Sequence, residues 1–304
     1  MKKTKGERIY SVFCYAVCTI VGLLCLYPLV YCLFVSLTTK REVAQNGGFV
    51  TWFPRQPTLL AYKKVLSNTS FVGRALQITM ARTVLGSLLG LAVNSLAGYA
   101  LSRKDLPGRK LFLSLMLVPI LFGGGLIPTY LVIQSLGLID TFWVLVLPTL
   151  FSAFNVLIFK QFFEGIPPSL EEAALVDGVS ELKLFTRIIL PMSKPVMASI
   201  GLFTVVGQWN SWFDGFLYIG QTHADLWPLQ TYIMQMFNNM NNMNNPEIVQ
   251  MMISLKQASS TGADVPELAT RMALTLVTLA PILIIYPFFQ KYFTSGVYMG
   301  AVKE

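Results

Sequence analysis

Residues 164–195 read EGIPPSLEEAALVDGVSELKLFTRIILPMSKP, a polar stretch between two strongly apolar parts of the chain. Two prolines, a serine and two glutamates in this order are typical of a helix start. We predict Ser169 as the N-cap, with Glu172 three residues later completing a capping box. The short helix should end at Gly178, where a left-handed backbone costs little.

The same stretch predicts a second short helix. Ser180 can begin it, and Pro191 should end it. Helices of this length are marginal in water on their own, so the hairpin must pack against something. It is either an ordinary loop helix lying on the helices of its own chain or a contact surface for a partner.

The composition is that of an integral membrane protein. Of the 304 residues, 54% are hydrophobic and only 12% are charged. Crossing ~30 Å of hydrocarbon takes roughly 20 helical residues, and a helix satisfies its own backbone groups there. Apolar runs of sufficient length lie at about 11–36, 76–101, 111–134, 141–163, 196–219 and 271–292. We therefore predict an all-α protein with six transmembrane helices between a short N-terminal segment (1–10) and a C-terminal tail (293–304).

Basic residues near the helix ends predict the orientation, because they favour the cytoplasm. The N-terminus, the 102–110 turn, the 164–195 stretch and the end of the chain contain lysines or arginines near helix ends and should lie inside. The rule is obeyed only in part, since the opposite side also holds Lys40, Arg41, Arg55, Lys63 and Lys64. We expect a multi-pass membrane protein with both termini cytoplasmic. Its net charge of +8 is matched to membrane lipid rather than to nucleic acid.

Residues with catalytic or metal-binding chemistry are scarce. The single histidine, His223, lies in a predicted outer loop, and a surface position is expected for it. The four cysteines lie on one face of the first span, where they should be small packing residues: Cys14, Cys18, Cys25 and Cys32. We predict no metal site.

Nucleotide binding is not expected on this chain. No glycine-rich loop ends in Gly-Lys-Ser or Gly-Lys-Thr, and the glycines at 123–125 lie inside an apolar run with no lysine after them. These glycines predict a kink or a close-packing point, as do Gly86 and Gly90 at helix-packing spacing.

The spacing of the polar stretch resembles the signature of permease subunits in binding-protein-dependent ABC importers. That signature is Glu-Ala-Ala, three residues, Gly, nine residues, Ile, one residue and Leu-Pro. The matching positions are Glu172, Ala173, Ala174, Gly178, Ile188, Leu190 and Pro191. Residues 97–103 (AGYALSR), 106–109 (LPGR) and 286–293 (YPFFQKYF) are similar to the carbohydrate permeases, in particular the second membrane subunit of maltose-type importers. Within that group the chain most resembles the branch for complex oligosaccharides and polysaccharides.

This resemblance implies roles for particular residues. A coupling helix that docks in a cleft of the ATPase would contain Glu172, Ala173, Ala174, Leu175, Asp177 and Gly178. A tail contact to the ATPase would be made by Gly300, Ala301, Val302 and Lys303. The implied partners are a second, similar but distinct permease subunit, two ATP-binding subunits that hold ATP and Mg, an extracytoplasmic solute-binding protein and an oligosaccharide. The pore would be a heterodimer in the plasma membrane of a bacterium, and this chain itself would hold no cofactor.

Span five is the expected solute path. A helix that enters near Val196 brings Gln208 to a depth of ~18 Å, and polar residues at that depth should face a pore or another helix. Amides and carboxylates bond sugar hydroxyls, and indole rings stack on pyranose faces, which favours Gln208, Trp209, Asn210, Trp212 and Asp214. The alternative is an interfacial aromatic belt with amides bonded between helices. Three other polar residues, Arg82, Asn94 and Asn155, are expected to make helix–helix bonds.

The predicted outer loops, 37–75 and 220–270, are long enough to offer a docking face to a solute-binding protein. The second contains an Asn- and Met-rich run at 238–245 that is either part of this face or low-complexity sequence. Three methionines at helical spacing, one before this run and two within it, are expected to pack on a neighbouring loop: Met236, Met240 and Met243.

Other functions remain open. An importer of the same architecture for a polyamine or an amino acid fits nearly as well. A secondary transporter would need paired membrane carboxylates or coupling-ion sites, whereas Asp214 stands alone in the sequence near the end of its span. A membrane enzyme would need a nucleophile with its base, or a metal cluster, and neither is visible.

Overall fold

The computed structural model describes residues 5–46, 53–67, 71–176, 178–238 and 265–300, and every regular element in these ranges is helical. The predicted all-α class is therefore confirmed. The α-helices are α1 (Lys5–Ser36), α2 (Lys40–Gln45), α3 (Leu60–Ser67), α4 (Phe71–Ser102), α5 (Arg109–Leu121), α6 (Leu126–Ser135), α7 (Ala153–Glu164), α8 (Pro168–Val176), α9 (Glu181–Leu184), α10 (Leu190–Met192), α11 (Lys194–Asn210), α12 (Phe213–Tyr218), α13 (Leu229–Asn238) and α14 (Glu267–Gly300). Short 3₁₀ turns cover Phe142–Leu145, Leu147–Thr149 and Gln221–Leu226, and a π turn covers Phe185–Ile189.

The helices lie on the predicted apolar runs, but only some are straight enough to be single spans. Ile9–Ser36, Val72–Ser102 and Leu268–Pro287 are each long and apolar enough to cross a membrane. Three further spans are possible only as bent pairs: α5 with α6 at 117°, the 3₁₀ turns of 142–149 with α7 at 45°, and Glu181–Met192 with α11 at 82°. The count of six transmembrane helices therefore stays a prediction.

The bend between α5 and α6 falls on the triple glycine. Gly125 has a φ of +82°, a conformation in which an L side chain would be strained. The predicted apolar run at 111–134 therefore forms two helices, α5 and α6, instead of one. The kink predicted at this point is confirmed.

One compact unit contains residues 1–72 and 238–281. Its loop after α1 is folded, since Thr39 caps α2 and the Ser36 hydroxyl lies 2.7 Å from the Tyr62 hydroxyl of α3. The buried carboxylate of Glu42 accepts a hydrogen bond of 2.7 Å from the Arg55 amide. Part of the predicted outer loop 37–75 is thus ordered by its own polar contacts.

The second unit contains residues 73–237 and 282–304. Its core is aromatic at one end, where Tyr99 of α4 lies edge-on to Phe163 of α7 and packs on Phe185 of the π turn. Gly98 permits this approach, because a Cβ placed there would lie 2.5 Å from the Phe159 Cβ. The core brings α4, α7 and the predicted coupling loop together.

Helix α8 differs from the prediction at its start and agrees with it at its end. It begins at Pro168, so Ser169 lies inside the first turn, and the predicted capping box is wrong. The fixed φ of proline suits the first helical position, so the helix begins two residues earlier than an N-cap at Ser169 would give. At the other end Gly178 has a φ of +75°, and the Val179 amide donates to the Ala174 carbonyl at 3.1 Å, as in a Schellman motif.

The second predicted helix of the loop begins after Ser180, as expected, but Pro191 does not end it. Helical backbone continues to Met192 before it bends into α11. A π turn precedes the proline, and such a local widening accommodates a residue that cannot donate a backbone hydrogen bond.

Candidate functional site

The predicted coupling helix has one face packed and another exposed. Ala174 is buried in the aromatic core, whereas Glu172 is exposed and Val176, one turn later, is 88% exposed. Gly178 is also exposed at the end of the helix. A carboxylate and an apolar side chain on one exposed face are suited to a protein contact. For Ala173 and Leu175 the structure gives only the backbone, and Asp177 lies outside the described residues.

Arg103, directly after the end of α4, holds this hairpin by its guanidinium. Its Nη1 donates to the Glu171 carboxylate of α8, and its Nη2 donates to Glu181 Oε2 of α9 at 3.1 Å and to the Tyr99 hydroxyl at 2.9 Å. Burial alone would lower the pKa of Arg103. The hydrogen bond to Glu181 and the nearby negative charges outweigh burial and raise that pKa above its usual value.

A second arginine of the same turn braces the neighbouring helices. Arg109, the first residue of α5, donates to the Glu164 carboxylate at the end of α7 and to the Leu101 carbonyl at 2.9 Å. Lys160 adds a further ion pair with Glu164 at 2.8 Å. The sequence had indicated the basic 102–110 turn only as an orientation signal. Its pairing with acidic residues 55 to 78 positions away was not predicted, because nothing local in the sequence gives those partners.

The predicted solute path contains a buried polar network. Arg82 of α4 is fully buried and forms an ion pair with Asp214 of α12, with Nη1 to Oδ1 at 3.1 Å and Nη2 to Oδ2 at 2.5 Å. Nη2 also donates to Gln208 Oε1 at 3.0 Å. The same guanidinium reaches the backbone carbonyls of Leu145 and Ser211, each at 3.3 Å. Asp214, for which the sequence predicted no partner carboxylate, is therefore paired with a buried arginine.

The network extends to the break between the 142–149 turns and α7. Gln208 donates to the Thr149 hydroxyl at 2.8 Å. Asn94 of α4 donates to the Leu150 carbonyl and accepts from the Ser152 amide, both at 2.8 Å. Backbone groups freed at a helix break inside a membrane need protein partners, and these side chains supply them. The helix–helix bonds predicted for Arg82 are confirmed, whereas Asn94 bonds the backbone at the break before α7.

The predicted path residues separate into two environments. Gln208 and Asp214 belong to the network, and Trp209 is buried and lines an apolar crevice with Ile282 and Ile285 of α14. Asn210 and Trp212 are exposed. Asn210 and Trp212 are thus the exposed members of the five, Asp214 is partly buried, and the substrate role of all five stays a prediction.

Trp212 belongs to an exposed aromatic cluster that the sequence reasoning missed. Its ring centre lies 5.6 Å from that of Phe213 and 6.1 Å from that of Phe216, and these two phenylalanines also contact each other at 6.5 Å. The break between α11 and α12 projects these rings from one place. The close spacing of three aromatic residues after Asn210 was the available signal.

The remaining sequence predictions concern a metal site, His223, the Asn- and Met-rich run and the C-terminal tail. Within the described ranges, no three residues among His, Cys, Asp and Glu form a group that could hold a metal ion. His223 is exposed, with its Nδ1 3.8 Å from Asp140 Oδ2. Most of the predicted Asn- and Met-rich run and residues 301–304 of the tail lie outside the described residues, and Gly300 is the last residue of α14.

Comparison with known proteins decides the family. Residues 83–297 match the family described as binding-protein-dependent transport system inner membrane component. This chain belongs to that family. It is a multi-pass membrane permease of the ABC importer type, as the sequence predicted, and no enzyme class is implied by the match.

Individual relatives of this permease cover its whole length. It is 38% identical over 303 residues to Protein LplC of Bacillus subtilis, covering 100% of this chain and 98% of that protein. It is 36% identical over 297 residues to the polygalacturonan/rhamnogalacturonan transport system permease protein YtcP of Bacillus subtilis, with 98% and 99% covered. A chain of a bacterial ABC transporter involved in import of the acidic polysaccharide alginate superposes with a TM-score of 0.83 at 26% identity, with 96% and 99% covered.

Proposed function

We propose that this permease forms half of a translocation pore for an oligosaccharide that a solute-binding protein delivers. A second, homologous permease subunit would form the other half. Two separate ATP-binding subunits would hold ATP and Mg and would hydrolyse the nucleotide. The proposal is supported by the family, whose members work with binding proteins by description, and by relatives that are named for polysaccharide transport.

The exposed face of α8 carries the proposal that an ATPase drives this chain. Ala174 anchors the helix in the core while Glu172 and Val176 remain accessible. A short helix that exposes both a charge and a large apolar side chain has an incomplete surface in the isolated chain. An ATPase cleft would cover it and leave nucleotide chemistry on the partner.

Transport would proceed by alternating access. ATP binding would favour an outward-open state, and hydrolysis would return the cavity to an inward-open state. A ligand shifts such an equilibrium only through its different affinities for the two states. The chain therefore needs groups that contact the solute weakly and reversibly, for which Asn210 and Trp212 are accessible and chemically suited.

The orientation and the tail complete the proposal. With both termini cytoplasmic, α8 and the basic 102–110 turn would face the ATPases, and the end of α14 would lie on the same side. Residues 300–303 would make a second contact with the ATPase dimer. The folded segments of the predicted outer loops, including α2, α3 and α13, would face the binding protein.

The test is uptake in the native host with this chain deleted and then restored. The labelled panel would contain galacturonate, alginate and arabinose oligosaccharides, amino acids and polyamines. Loss and recovery confined to oligosaccharides supports the proposal and identifies the substrate class. Loss confined to an amino acid or a polyamine would overturn the carbohydrate assignment, and unchanged uptake of every solute would count against a transport role for these substrates.

A tagged chain purified from the same membranes tests the assembly. The wild-type chain should bring an ATP-binding subunit and a second permease subunit with it. The Glu172→Lys variant should insert normally and lose most of the ATPase, because a reversed charge would face the docking cleft. Equal ATPase recovery in both preparations would contradict the docking assignment.

A further inference from the structure

The two adjacent glutamates of α8 have different environments. The side chain of Glu171 is 20% exposed and is bound to Arg103, whereas Glu172 is exposed. Successive residues on a helix point about 100° apart, so one can face the chain and the other can face away. The sequence motif does not distinguish them, and the structure does.

The Arg103 side chain packs against the Tyr99 ring, which is itself held by two other aromatic residues. The guanidinium carbon lies 5.1 Å from the centre of the Tyr99 ring, and the Tyr99 hydroxyl accepts a hydrogen bond from Nη2. That ring is fixed in turn by Phe185 at 4.9 Å and Phe163 at 6.1 Å. Arg103 therefore moves with the end of α4 instead of swinging freely on a long side chain.

The two carboxylate contacts of Arg103 are not equivalent. Glu181 is 65% exposed, and ion pairs with so much solvent contact contribute little. Glu171 and Arg103 are each only 20% exposed, so water screens their attraction less. The contact with Glu171 is the one that fixes α8 to α4.

We propose that Arg103 is a positioning residue that ties the coupling helix to α4 through Glu171, leaving Glu172 to the ATPase. A displacement of α8 would then displace α4 directly through the ion pair, in addition to any effect through the backbone that continues from α8 into α9. About 30 Å further along, α4 carries Arg82, which donates to the Ser211 carbonyl between α11 and α12 and to the Leu145 carbonyl of a 3₁₀ turn. The inference rests on the proposed function, since it takes α8 to be the ATPase contact.

The decisive experiment distinguishes loss of ATPase binding to α8 from loss of the mechanical connection between α8 and α4. Arg103→Gln and Glu171→Gln should retain the wild-type amount of ATPase on the purified complex. The maximal uptake rate of the panel solute that the wild-type chain carries should fall by about fivefold or more, the lower end of ordinary coupling between sites. The half-saturating solute concentration should not change, because the solute contacts are untouched.

Matched controls separate this role from general damage. Arg187→Gln removes an exposed arginine of the same loop and should leave both readouts unchanged. Glu172→Gln should lower ATPase recovery instead. The double variant Arg103→Glu with Glu171→Arg reverses the pair and should recover at least about half of the uptake lost by Arg103→Glu alone, as contacting residues are coupled in a double-mutant cycle.

Several results would overturn the inference. One is unchanged uptake in both Arg103→Gln and Glu171→Gln. Another is loss of ATPase recovery equal to that of Glu172→Gln, since Arg103 would then be part of the docking surface. Absence of any rescue by the reversed pair would also contradict it. If the wild-type complex itself contains no ATPase, the proposed function fails first, and that result is visible before any variant is made.

If Arg103→Gln does not assemble, Glu171→Gln tests the same contact with a change of one atom. Arg103→Lys adds a graded test, because lysine keeps the charge and loses the bidentate geometry. Its uptake should lie between those of wild type and Arg103→Gln. Uptake equal to that of Arg103→Gln would also agree with a role that needs the guanidinium geometry, whereas uptake below it would overturn the inference.

Discussion

Arg82 and Asp214 form an ion pair in which the guanidinium side chain is 0% exposed and the carboxylate side chain is 14% exposed. The two residues are 132 positions apart and join α4 to the start of α12. Every nitrogen of the guanidinium has an acceptor, so the charge is both paired and hydrogen-bonded. This pairing offsets the cost of burying the charge and joins α4 to α12 and, through the Leu145 carbonyl, to the 142–145 turn.

Breaking this pair should destabilise the protein strongly. We expect Arg82→Ala or Asp214→Asn to cost roughly 3–5 kcal/mol, because a buried charge loses its partner. Thermal unfolding of the purified chain in detergent measures the effect. Arg74→Ala, an exposed arginine of the same helix, should change stability by less than about 0.5 kcal/mol.

The double variant Arg82→Met with Asp214→Leu gives the matching control. Its loss of stability should be smaller than the sum of the two single losses, since no unpaired charge remains. Simple additivity would show that the two side chains do not interact. Full recovery is not expected, because the carbonyls of Leu145 and Ser211 would still lack their donor.

Asn94 should be needed at the break before α7. Asn94→Leu leaves the Leu150 carbonyl and the Ser152 amide without this partner, at a cost of about 1–3 kcal/mol for each group that stays unsatisfied. Asn94→Asp keeps the acceptor for Ser152 and should retain more stability. Equal unfolding temperatures for all three chains would refute the capping role.

Gly98 should tolerate no side chain. A Cβ there would meet the Phe159 Cβ at 2.5 Å and the Val156 carbonyl oxygen at 3.0 Å, so Gly98→Ala must separate α4 from α7. We expect a loss of about 1–3 kcal/mol from overpacking. Gly73→Ala on the same helix has nothing within 4 Å and should be neutral or stabilising, which detergent unfolding would show.

The residues of predicted span five should fall into two groups, one needed for solute uptake and one needed for assembly. Asn210→Leu and Trp212→Ala remove exposed groups, so uptake should fall while assembly is kept. Gln208→Leu should instead impair assembly, because its amide bonds both Arg82 and Thr149. Uptake assays paired with size-exclusion profiles separate these outcomes. Wild-type uptake by both Asn210→Leu and Trp212→Ala would remove them from the substrate path.

Truncation after Tyr298 should disturb regulation of the ATPase without preventing assembly. The expectation comes from the resemblance to maltose-type second subunits, whose tail reaches the ATPase interface. ATP turnover by the purified complex, with and without the last residues, is the measurement. An unchanged turnover rate and an unchanged response to the transported solute would exclude the tail contact.

The sequence by itself determined the class of the protein. Hydropathy along the chain, the helix end at Gly178 and the break at the triple glycine were all predictable. Each depends on a local property: transfer of side chains into hydrocarbon, or the backbone freedom of glycine. The spacing of Glu172, Ala174 and Gly178 also resembles the signature of the family to which the chain belongs.

Only the tertiary structure decided which polar side chains are bonded to other residues of the chain and which are exposed on its surface. Arg82 with Asp214, and Arg103 with Glu171, join positions far apart in the sequence, and one chain without aligned relatives contains no signal for such pairs. Local preference also failed at Ser169 and Pro191, where the helix boundaries differ from the predicted ones by two residues and by one residue. Ion pairing and packing are non-local free energies, whereas composition and periodicity report only what each segment prefers alone.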